Sequence, residues 1–265
     1  MYAVTEGGLS NGVPYLRLGK GPPLLVASGL SPAHANPTGM SRRMALSWAR
    51  PFAEHFTVYL ANRKPGLASG VSMGDIARDY AEVITKDVGQ PVTLHGTSTG
   101  GSVALQLAID HPELVQRMVV AAAACRLSEY GRWVQTELAR LTEEGKPRRA
   151  SAFLMGVMAK APLRHPAKGV GWLMGGSFET DDPNDMLRTI AAEDSFDAEP
   201  DLTRVQAPTL VLGGTADPFY SEDLFRRTAA GVPDGRVVLF PGRSHVYVAG
   251  SAVPAAVALG FMLGG

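Results

Sequence analysis

The stretch VTLHGTSTGGSVALQLAIDHPE, residues 92–113, places a polar Gly-Thr-Ser-Thr-Gly segment between two apolar segments. Residues 92–94 are apolar or β-branched, which predicts a buried strand. Apolar residues recur at helical spacing over residues 103–109, and the helix is expected to end where His111 precedes Pro112. The polar segment is therefore predicted to be a strand-to-helix turn with almost no loop.

Ser98 lies at the centre of that turn, between Gly96 and Gly100. In a tight strand-to-helix bend, glycines remove the Cβ atoms that would collide, and the central serine hydroxyl is lifted clear of the sheet edge. The following helix directs its free N–H groups at that hydroxyl. An ordinary Gly/Ser/Thr turn is the alternative, and the strand before and the helix after favour the catalytic interpretation.

Length and composition restrict the class of protein. A chain of 265 residues can form one α/β domain or two small ones. It has 25 Lys+Arg and 25 Asp+Glu, hence zero formal net charge, which argues against nucleic acid or an anionic membrane as the main partner. The single cysteine, Cys125, excludes an internal disulfide and is expected to be a small buried hydrophobe.

The sequence contains no recognisable targeting segment. The first ten residues, MYAVTEGGLS, lack a basic region followed by an apolar one, and no run of about 18 apolar residues occurs. We expect a soluble cytoplasmic protein, although an exported protein cut from a precursor would look the same. His, Asp and Glu residues show no metal-ligand spacing, so no metal is expected.

Strand and helix patterns alternate over most of the chain, which predicts a mostly parallel sheet with helices on both faces. Between residues 126 and 200 only helical patterns occur, and the alternation then returns. We therefore predict an α/β core domain formed by residues 1–125 and 201–265, interrupted by a helical cap (lid) at residues 126–200.

A serine nucleophile needs a base, usually a histidine oriented by a carboxylate. Of six histidines, His245 follows the last predicted strand, and Asp217 follows the strand before it, so both face the carboxyl edge of the sheet. Their chain order after Ser98 is serine, acid, histidine. Three other carboxylates remain candidates for the acid: Asp194, Asp197 and Asp223. Each can also be explained as a structural residue at the start of a helix or in a loop.

The motifs around Ser98, Asp217 and His245, together with the strand LLVASG before Gly29, resemble the α/β-hydrolase superfamily over essentially the whole chain. In chain order the four segments are LLVASG, GTSTGG, APTLVLGGTAD and GRSH, with the helical cap between the second and third. The resemblance implies an α/β-hydrolase fold and a serine hydrolase with catalytic Ser98, Asp217 and His245, and it implies no cofactor.

Two segments depart from the common pattern of that superfamily. Ser28-Gly29-Leu30 stands where many relatives have His-Gly, but the glycine is kept, so the backbone N–H groups of Leu30 and Thr99 are expected to form the oxyanion hole. The segment ANRKPGLASGVS replaces the usual acidic start after the fourth strand, which bears on the shape of the site. His95 is expected to support the turn from below.

Substrate contacts are harder to predict. The cap is rich in apolar residues that suit a small, largely apolar substrate, or simply the core of a lid: Phe153, Met155, Met158, Trp172, Met174 and Phe178. Candidate substrate-binding residues are Gly29, His34, Met155, Trp172 and Phe219. The expected reaction is hydrolysis of an ester, thioester or lactone of a small molecule. Carbon–carbon bond hydrolysis, another reaction on the same triad, and non-catalytic ligand binding are the alternatives, and the oligomeric state stays open.

Overall fold

The computed structural model describes residues 2–159, 162–175, 180 and 182–264. Eight strands form one sheet in the order β1-β2-β4-β3-β5-β6-β7-β8. Their bounds are Thr5–Gly8 (β1), Pro14–Gly19 (β2), Pro23–Ala27 (β3), Thr57–Ala61 (β4), Val92–Thr97 (β5), Val115–Ala121 (β6), Thr209–Gly214 (β7) and Gly235–Phe240 (β8).

Only the first two strands run antiparallel to their neighbours. β1 pairs with β2 and β2 with β4 in antiparallel register, whereas β4, β3, β5, β6, β7 and β8 form a parallel series. β3 and β7 are buried along their whole length, as expected for strands covered on both faces. The carboxyl ends of β3, β5, β7 and β8 therefore meet at one edge of the sheet.

The described part of the chain contains ten α-helices. They are Gly39–Ala53 (α1), Met73–Val83 (α2), Thr99–Asp110 (α3), Glu129–Glu143 (α4), Pro147–Met158 (α5), Arg164–Leu173 (α6), Asn184–Asp194 (α7), Glu222–Gly231 (α8), His245–Gly250 (α9) and Ala252–Leu263 (α10). Helices α2, α3 and α8 pack on one face of the sheet, and α1, α9 and α10 pack on the other. None of the described helices has both the length and the apolar character needed to cross a membrane.

The sequence of α2 accounts for its position. Ile76, Tyr80 and Val83 share one face of the helix and are buried, and Ser72 with Asp75 forms a capping box at its start. The last turn of this helix widens into a π-helical segment, Ile84–Val88, which ends at Gly89 in the left-handed conformation. Cys125 is fully buried, as expected.

Helices α4–α7, which we call the cap helices, connect β6 to β7. The apolar core shared by α4, α5 and α7 includes Leu138, Ala150, Met186 and Ile190. α6 packs so closely against α5 that a Cβ on Gly171 would lie 2.8 Å from the Ala152 Cα. Phe178 of the predicted apolar cap set lies outside the described residues. The parallel sheet covered by helices on both faces confirms the predicted fold class.

Candidate active site

The strand-to-helix turn forms as predicted, with β5 ending at Thr97 and α3 beginning at Thr99. Ser98 between them has φ 53° and ψ −128°, a conformation that residues with a Cβ seldom adopt. A Cβ on Gly100 would collide with the carbonyl of Ala27, and one on Gly96 would come within 2.7 Å of the Gly101 Cα. The glycines therefore permit the close approach that holds Ser98 in this strained geometry.

Three side chains from separate loops meet at the carboxyl edge of the sheet. The Ser98 Oγ lies 3.0 Å from His245 Nε2, and His245 Nδ1 lies 2.8 Å from Asp217 Oδ2. A carboxylate only accepts hydrogen bonds, so Nδ1 carries the ring proton and Nε2 is left to accept the serine O–H. The structure thus brings together the serine, histidine and acid proposed from the sequence.

Asp217 is held in place by backbone groups of its own loop. Its other oxygen, Oδ1, accepts hydrogen bonds from the N–H of Phe219 at 2.8 Å and of Tyr220 at 3.3 Å. The rival Asp223 has an exposed side chain that pairs with Arg227 at 3.6 Å. Of the candidate acids, Asp217 is the one hydrogen-bonded to the His245 ring.

The loop after β3 is fixed from beneath by the buried Arg63. Its guanidinium donates to the carbonyl oxygens of Ser28 at 2.9 Å and Gly29 at 3.0 Å, and to the Ser31 hydroxyl at 3.1 Å. Burial lowers the pKa of Arg63 from its usual value. A Cβ on Gly29 would lie 3.4 Å from the Ser98 Cβ, so this loop runs directly beside the serine.

The two expected N–H donors of this site are both available. The Thr99 N–H begins α3, where the first N–H groups have no intrahelical partner, and Leu30 lies in the loop that Arg63 holds. Within the described residues neither N–H has a hydrogen-bond partner. Both N–H groups are therefore free to donate a hydrogen bond to an acceptor beside Ser98.

His34 does not contact the site, contrary to expectation. Arg63 Nε donates to His34 Nε2 at 3.0 Å, so the ring proton resides on Nδ1, which donates to the Lys64 carbonyl at 2.9 Å. Burial and the Arg63 charge lower the pKa of His34 to about 4. With both nitrogens engaged and the ring buried, His34 supports the loop rather than a substrate.

Two cavities meet beside Ser98. The smaller, of about 210 Å³, contains Ser98 and His245 in its wall and is otherwise mainly apolar, with Gly29, Leu30, Pro32, Thr97, Gln135, Leu138, Leu154, Met158, Met186, Phe219 and Ala249. The larger, of about 630 Å³, lies between the loop after β3 and α1 and shares Gly29, Leu30, Pro32, Thr97 and Ala249 with the first. Its polar lining residues, among them Ser28, Ser31, Asn36, Thr38, Ser41, Asn62 and Thr97, are neutral.

Two predicted cap contacts fall outside these cavities. Met155 is 36% exposed and Trp172 is 48% exposed, with the Arg148 guanidinium 4.9 Å from the Trp172 ring centre. α5 instead presents Leu154 and Met158, four residues apart, to the smaller cavity. Met155 is one position off that stripe, and Trp172 lies on α6, the outer helix of the pair. Gly29 and Phe219 line the cavity as expected, and the Phe219 ring centre is 4.8 Å from that of His245.

Glu193, which the sequence argument did not single out, is buried next to the turn. Its Oε2 accepts from the Thr99 hydroxyl and from Gln135 Nε2, both at 2.8 Å, and its Oε1 accepts from the Ser102 hydroxyl at 2.8 Å. Helical spacing could have revealed it, since Glu193 continues the buried stripe of Met186 and Ile190 on α7. The cap is thus bonded directly to the residue after Ser98.

His95 is fully buried under the turn. Its ring meets Trp48 edge-on at 5.0 Å between centres, and Nδ1 lies 3.3 Å from the Thr97 hydroxyl. Burial lowers its pKa to about 4, so the ring is neutral at pH 7. Among the described residues no group of three or more His, Cys, Asp or Glu side chains is placed to hold a metal ion.

The fold and the geometry at Ser98 define an α/β protein with a nucleophile elbow. The chain belongs to the alpha/beta hydrolase family, whose model matches residues 24–258. Curated relatives include the putative carbamate hydrolase RutD of Serratia proteamaculans, 27% identical over 202 residues that cover 69% of this chain and 72% of the relative. The RutD of Variovorax paradoxus is 27% identical over 183 residues, 68% of this chain and 69% of the relative.

Solved structures share the fold over nearly the whole chain. A hydrolase from Pseudomonas aeruginosa superposes with a TM-score of 0.78 at 19% identity and covers 98% of both chains. The enol-lactonase of Burkholderia xenovorans gives a TM-score of 0.79 at 14% identity, covering 98% of this chain and all (100%) of that one. An esterase from Exiguobacterium antarcticum gives 0.77 at 16% identity, covering 98% and 99%.

Proposed function

We propose that this hydrolase cleaves a carboxylic ester, thioester or lactone of a small, largely apolar substrate, whose acyl group is uncharged, through an acyl-enzyme on Ser98. The observation that carries the proposal is the continuous hydrogen-bond series from Ser98 Oγ to His245 to Asp217, at 3.0 and 2.8 Å. Such a series activates a hydroxyl that is otherwise a poor nucleophile.

In the first half-reaction His245 Nε2 takes the Ser98 proton as Oγ attacks the substrate carbonyl. Asp217 keeps the imidazole in the required tautomer and stabilises its cation. The N–H groups of Leu30 and Thr99 hold the oxyanion, and His245 then delivers the proton to the leaving group. In the second half-reaction a water molecule, activated by the same histidine, releases the acid.

Each of the two cavities accommodates a different part of the substrate. The acyl group, which stays on Ser98 after the first step, occupies the smaller apolar cavity, whereas the leaving group departs through the wider cleft, which reaches solvent at the exposed Ala33, Ala35 and Thr38. No Asp, Glu, Lys or Arg is among the described residues that line either cavity. Because burying an unpaired charge is costly, the acyl group in the smaller cavity is uncharged.

A carbamate is the second candidate substrate class, because both curated relatives above carry a carbamate hydrolase name. Its carbonyl would be attacked by the same Ser98 Oγ. Comparing p-nitrophenyl carbamate with p-nitrophenyl acetate, each relative to its own hydroxide-catalysed rate, discriminates between the two classes.

Labelling and turnover together test the proposal. A fluorophosphonate probe should modify Ser98, as mapped by peptide mass spectrometry, and short-chain p-nitrophenyl esters should be hydrolysed. Ser98→Ala should abolish labelling and lower turnover by about 10⁶. The matched variant Ser102→Ala, one turn further along α3, should retain labelling.

Other outcomes select the alternatives. An adduct on another residue contradicts the assignment of Ser98. Labelling of Ser98 without turnover of esters or carbamates favours carbon–carbon bond hydrolysis or another reaction on the same triad. A folded protein with neither labelling nor turnover favours a ligand-binding protein.

A further inference from the structure

Gln135, on α4, has a side-chain amide of which only one half is engaged. It is 5% exposed and lines the smaller cavity together with Ser98. Its Nε2 donates to Glu193 Oε2 at 2.8 Å, whereas its Oε1 is buried and has no hydrogen-bond partner among the described residues. A buried acceptor without a partner is costly and is uncommon in folded proteins.

The orientation of this amide follows from Glu193. That carboxylate also receives the hydroxyls of Thr99 and Ser102, each at 2.8 Å, and the phenol of Tyr220 at 3.4 Å. A carboxylate that already accepts three hydroxyl groups requires the NH₂ of Gln135 on its side, since the reverse orientation would set two acceptors against each other. Oε1 is therefore the atom of the amide that is left without a partner.

The same network places the amide beside the nucleophile. Glu193 Oε2 accepts from both Gln135 Nε2 and the hydroxyl of Thr99, the residue that follows Ser98. Leu138, on the same helix, is one of the apolar residues that form most of this cavity wall. Gln135 thus adds a buried amide, with an unpartnered carbonyl oxygen, to the otherwise mainly apolar wall of the cavity that the proposed function assigns to the acyl group.

We infer that Gln135 is a specificity-determining residue whose Oε1 accepts a hydrogen bond from an O–H or N–H group on the acyl part of the substrate. The inference rests on the proposed function and narrows its substrate class to hydroxyacyl or N–H-bearing acyl groups. An apolar acyl group of equal size would leave Oε1 unpaired and react more slowly, because a site built to hydrogen-bond a substrate discriminates against the analogue that lacks the donor.

Two pairs of p-nitrophenyl esters of matched size test this inference: 2-hydroxypropionate against 2-methylpropionate, and 3-hydroxybutyrate against 3-methylbutyrate. Each kcat/KM is divided by the hydroxide-catalysed rate of the same ester. In the wild type the hydroxyl ester of at least one pair should be favoured about three- to tenfold, the value of one hydrogen bond. In Gln135→Met, which keeps the length of the side chain, that preference should vanish.

Ser102→Ala is the matched control, because it also removes one donor from Glu193 but does not line the cavity. It should keep the wild-type preference. If the wild type favours neither hydroxyl ester, the inference is overturned without any variant; this is the result expected if a water molecule already satisfies Oε1. An equal loss of preference in Ser102→Ala and Gln135→Met also overturns the inference.

Failure of the proposed function gives a different result. If the wild type hydrolyses none of the four esters, hydrolysis of esters is refuted, and the esters then persist as ligands. Their affinities, measured by isothermal titration calorimetry, test Gln135 directly. A three- to tenfold preference for a hydroxyl ester that Gln135→Met removes supports the inference, and equal affinities overturn it.

Discussion

At the scale of single residues, Asp217 differs from its rival Asp223 in its contacts rather than in its chemistry. The Asp217 side chain is completely buried and bonded to His245 Nδ1, whereas the Asp223 side chain is 72% exposed. We expect Asp217→Asn to lower turnover by about 10⁴, because an amide at this position favours the wrong imidazole tautomer. Asp223→Asn should leave turnover within about twofold, since an exposed ion pair contributes little. A collapse of turnover in Asp223→Asn alone would transfer the role to that residue.

A second prediction at this scale concerns the buried His95 and the pH dependence of the free energy of unfolding. Burial lowers its pKa from 6.5 to about 4, so the unfolded chain binds the proton at a higher pH than the folded protein. The contribution of His95 to the free energy of unfolding is therefore complete above pH 6.5. It is lost as the pH falls towards 4, at about 1.4 kcal/mol per pH unit.

His95→Phe, which keeps a ring against Trp48 and Phe52, removes this titration. Between pH 7 and pH 5 the free energy of unfolding of the wild type should fall by roughly 2 kcal/mol more than that of the variant. Urea denaturation at both pH values measures the difference. His34, whose pKa is also lowered, contributes equally to both proteins. Parallel losses in the two proteins would show that His95 does not titrate in this range.

The sequence predicted the residues whose positions are tied to the ends of strands. Ser98, Asp217 and His245 each follow a strand of the sheet, so chain order and loop position suffice to bring them to one edge. Gln135 and Glu193 lie on cap helices, and their meeting depends on how those helices pack over the core. Helical spacing marks Glu193 as a buried position, but no local pattern encodes which core residues it meets or that Gln135 lies beside it.

At the scale of elements, the turn at Ser98 depends on backbone contact between β3 and α3. A Cβ on Gly100 would collide with the carbonyl of Ala27, and backbone atoms on both sides leave no flexible group to move. Gly100→Ala should therefore destabilise the protein by about 2 kcal/mol or more and reduce fluorophosphonate labelling of Ser98. Thermal unfolding and labelling rates measure the two effects.

Gly260→Ala in α10 is the control, because a Cβ there meets nothing within 4 Å. Alanine is the better helix former, so this variant should be unchanged or stabilised by about 0.5–1 kcal/mol. If Gly100→Ala behaved like Gly260→Ala, the close approach of α3 to β3 would not be what requires a glycine.

Helix and strand types followed from the sequence more readily than their ends. Strand β5 extends to Thr97, three residues beyond its apolar start at residues 92–94, because neighbouring strands pair with its polar end. The π-helical segment after α2 cannot be distinguished from the α-helix by its sequence, since the apolar residues of Ile84–Val88 continue the same periodicity. Pairing and packing with neighbours, rather than local propensity, determine such boundaries.

At the scale of the whole molecule, α7 is bonded to the core at both of its ends. Near its start Asp185 accepts the backbone N–H groups of Gly66 at 2.9 Å and Leu67 at 2.8 Å, and near its end Glu193 binds the Thr99 hydroxyl at 2.8 Å. α5 contributes Leu154 and Met158 to the cavity wall, and α6 lies outside it. The cap therefore forms part of the cavity wall through α4, α5 and α7, and its position over the core is fixed through α7.

This division of roles leads to the last prediction, on acyl chain length. Met158 lines the cavity of about 210 Å³, whereas Met155, on the same helix, does not. Met158→Ala enlarges the apolar space, so the ratio of kcat/KM for the p-nitrophenyl hexanoate to that for the butyrate should rise about tenfold, since one methylene in an apolar pocket is worth roughly 1–3 kcal/mol. Met155→Ala, with the same change in volume, should leave the ratio within about twofold. Fluorophosphonate labelling of Ser98 should persist in both, because the nucleophile and its base belong to the core. Equal shifts in the two variants would mean that the cap acts through its stability, and a shift in Met155→Ala alone would place the other face of α5 against the substrate.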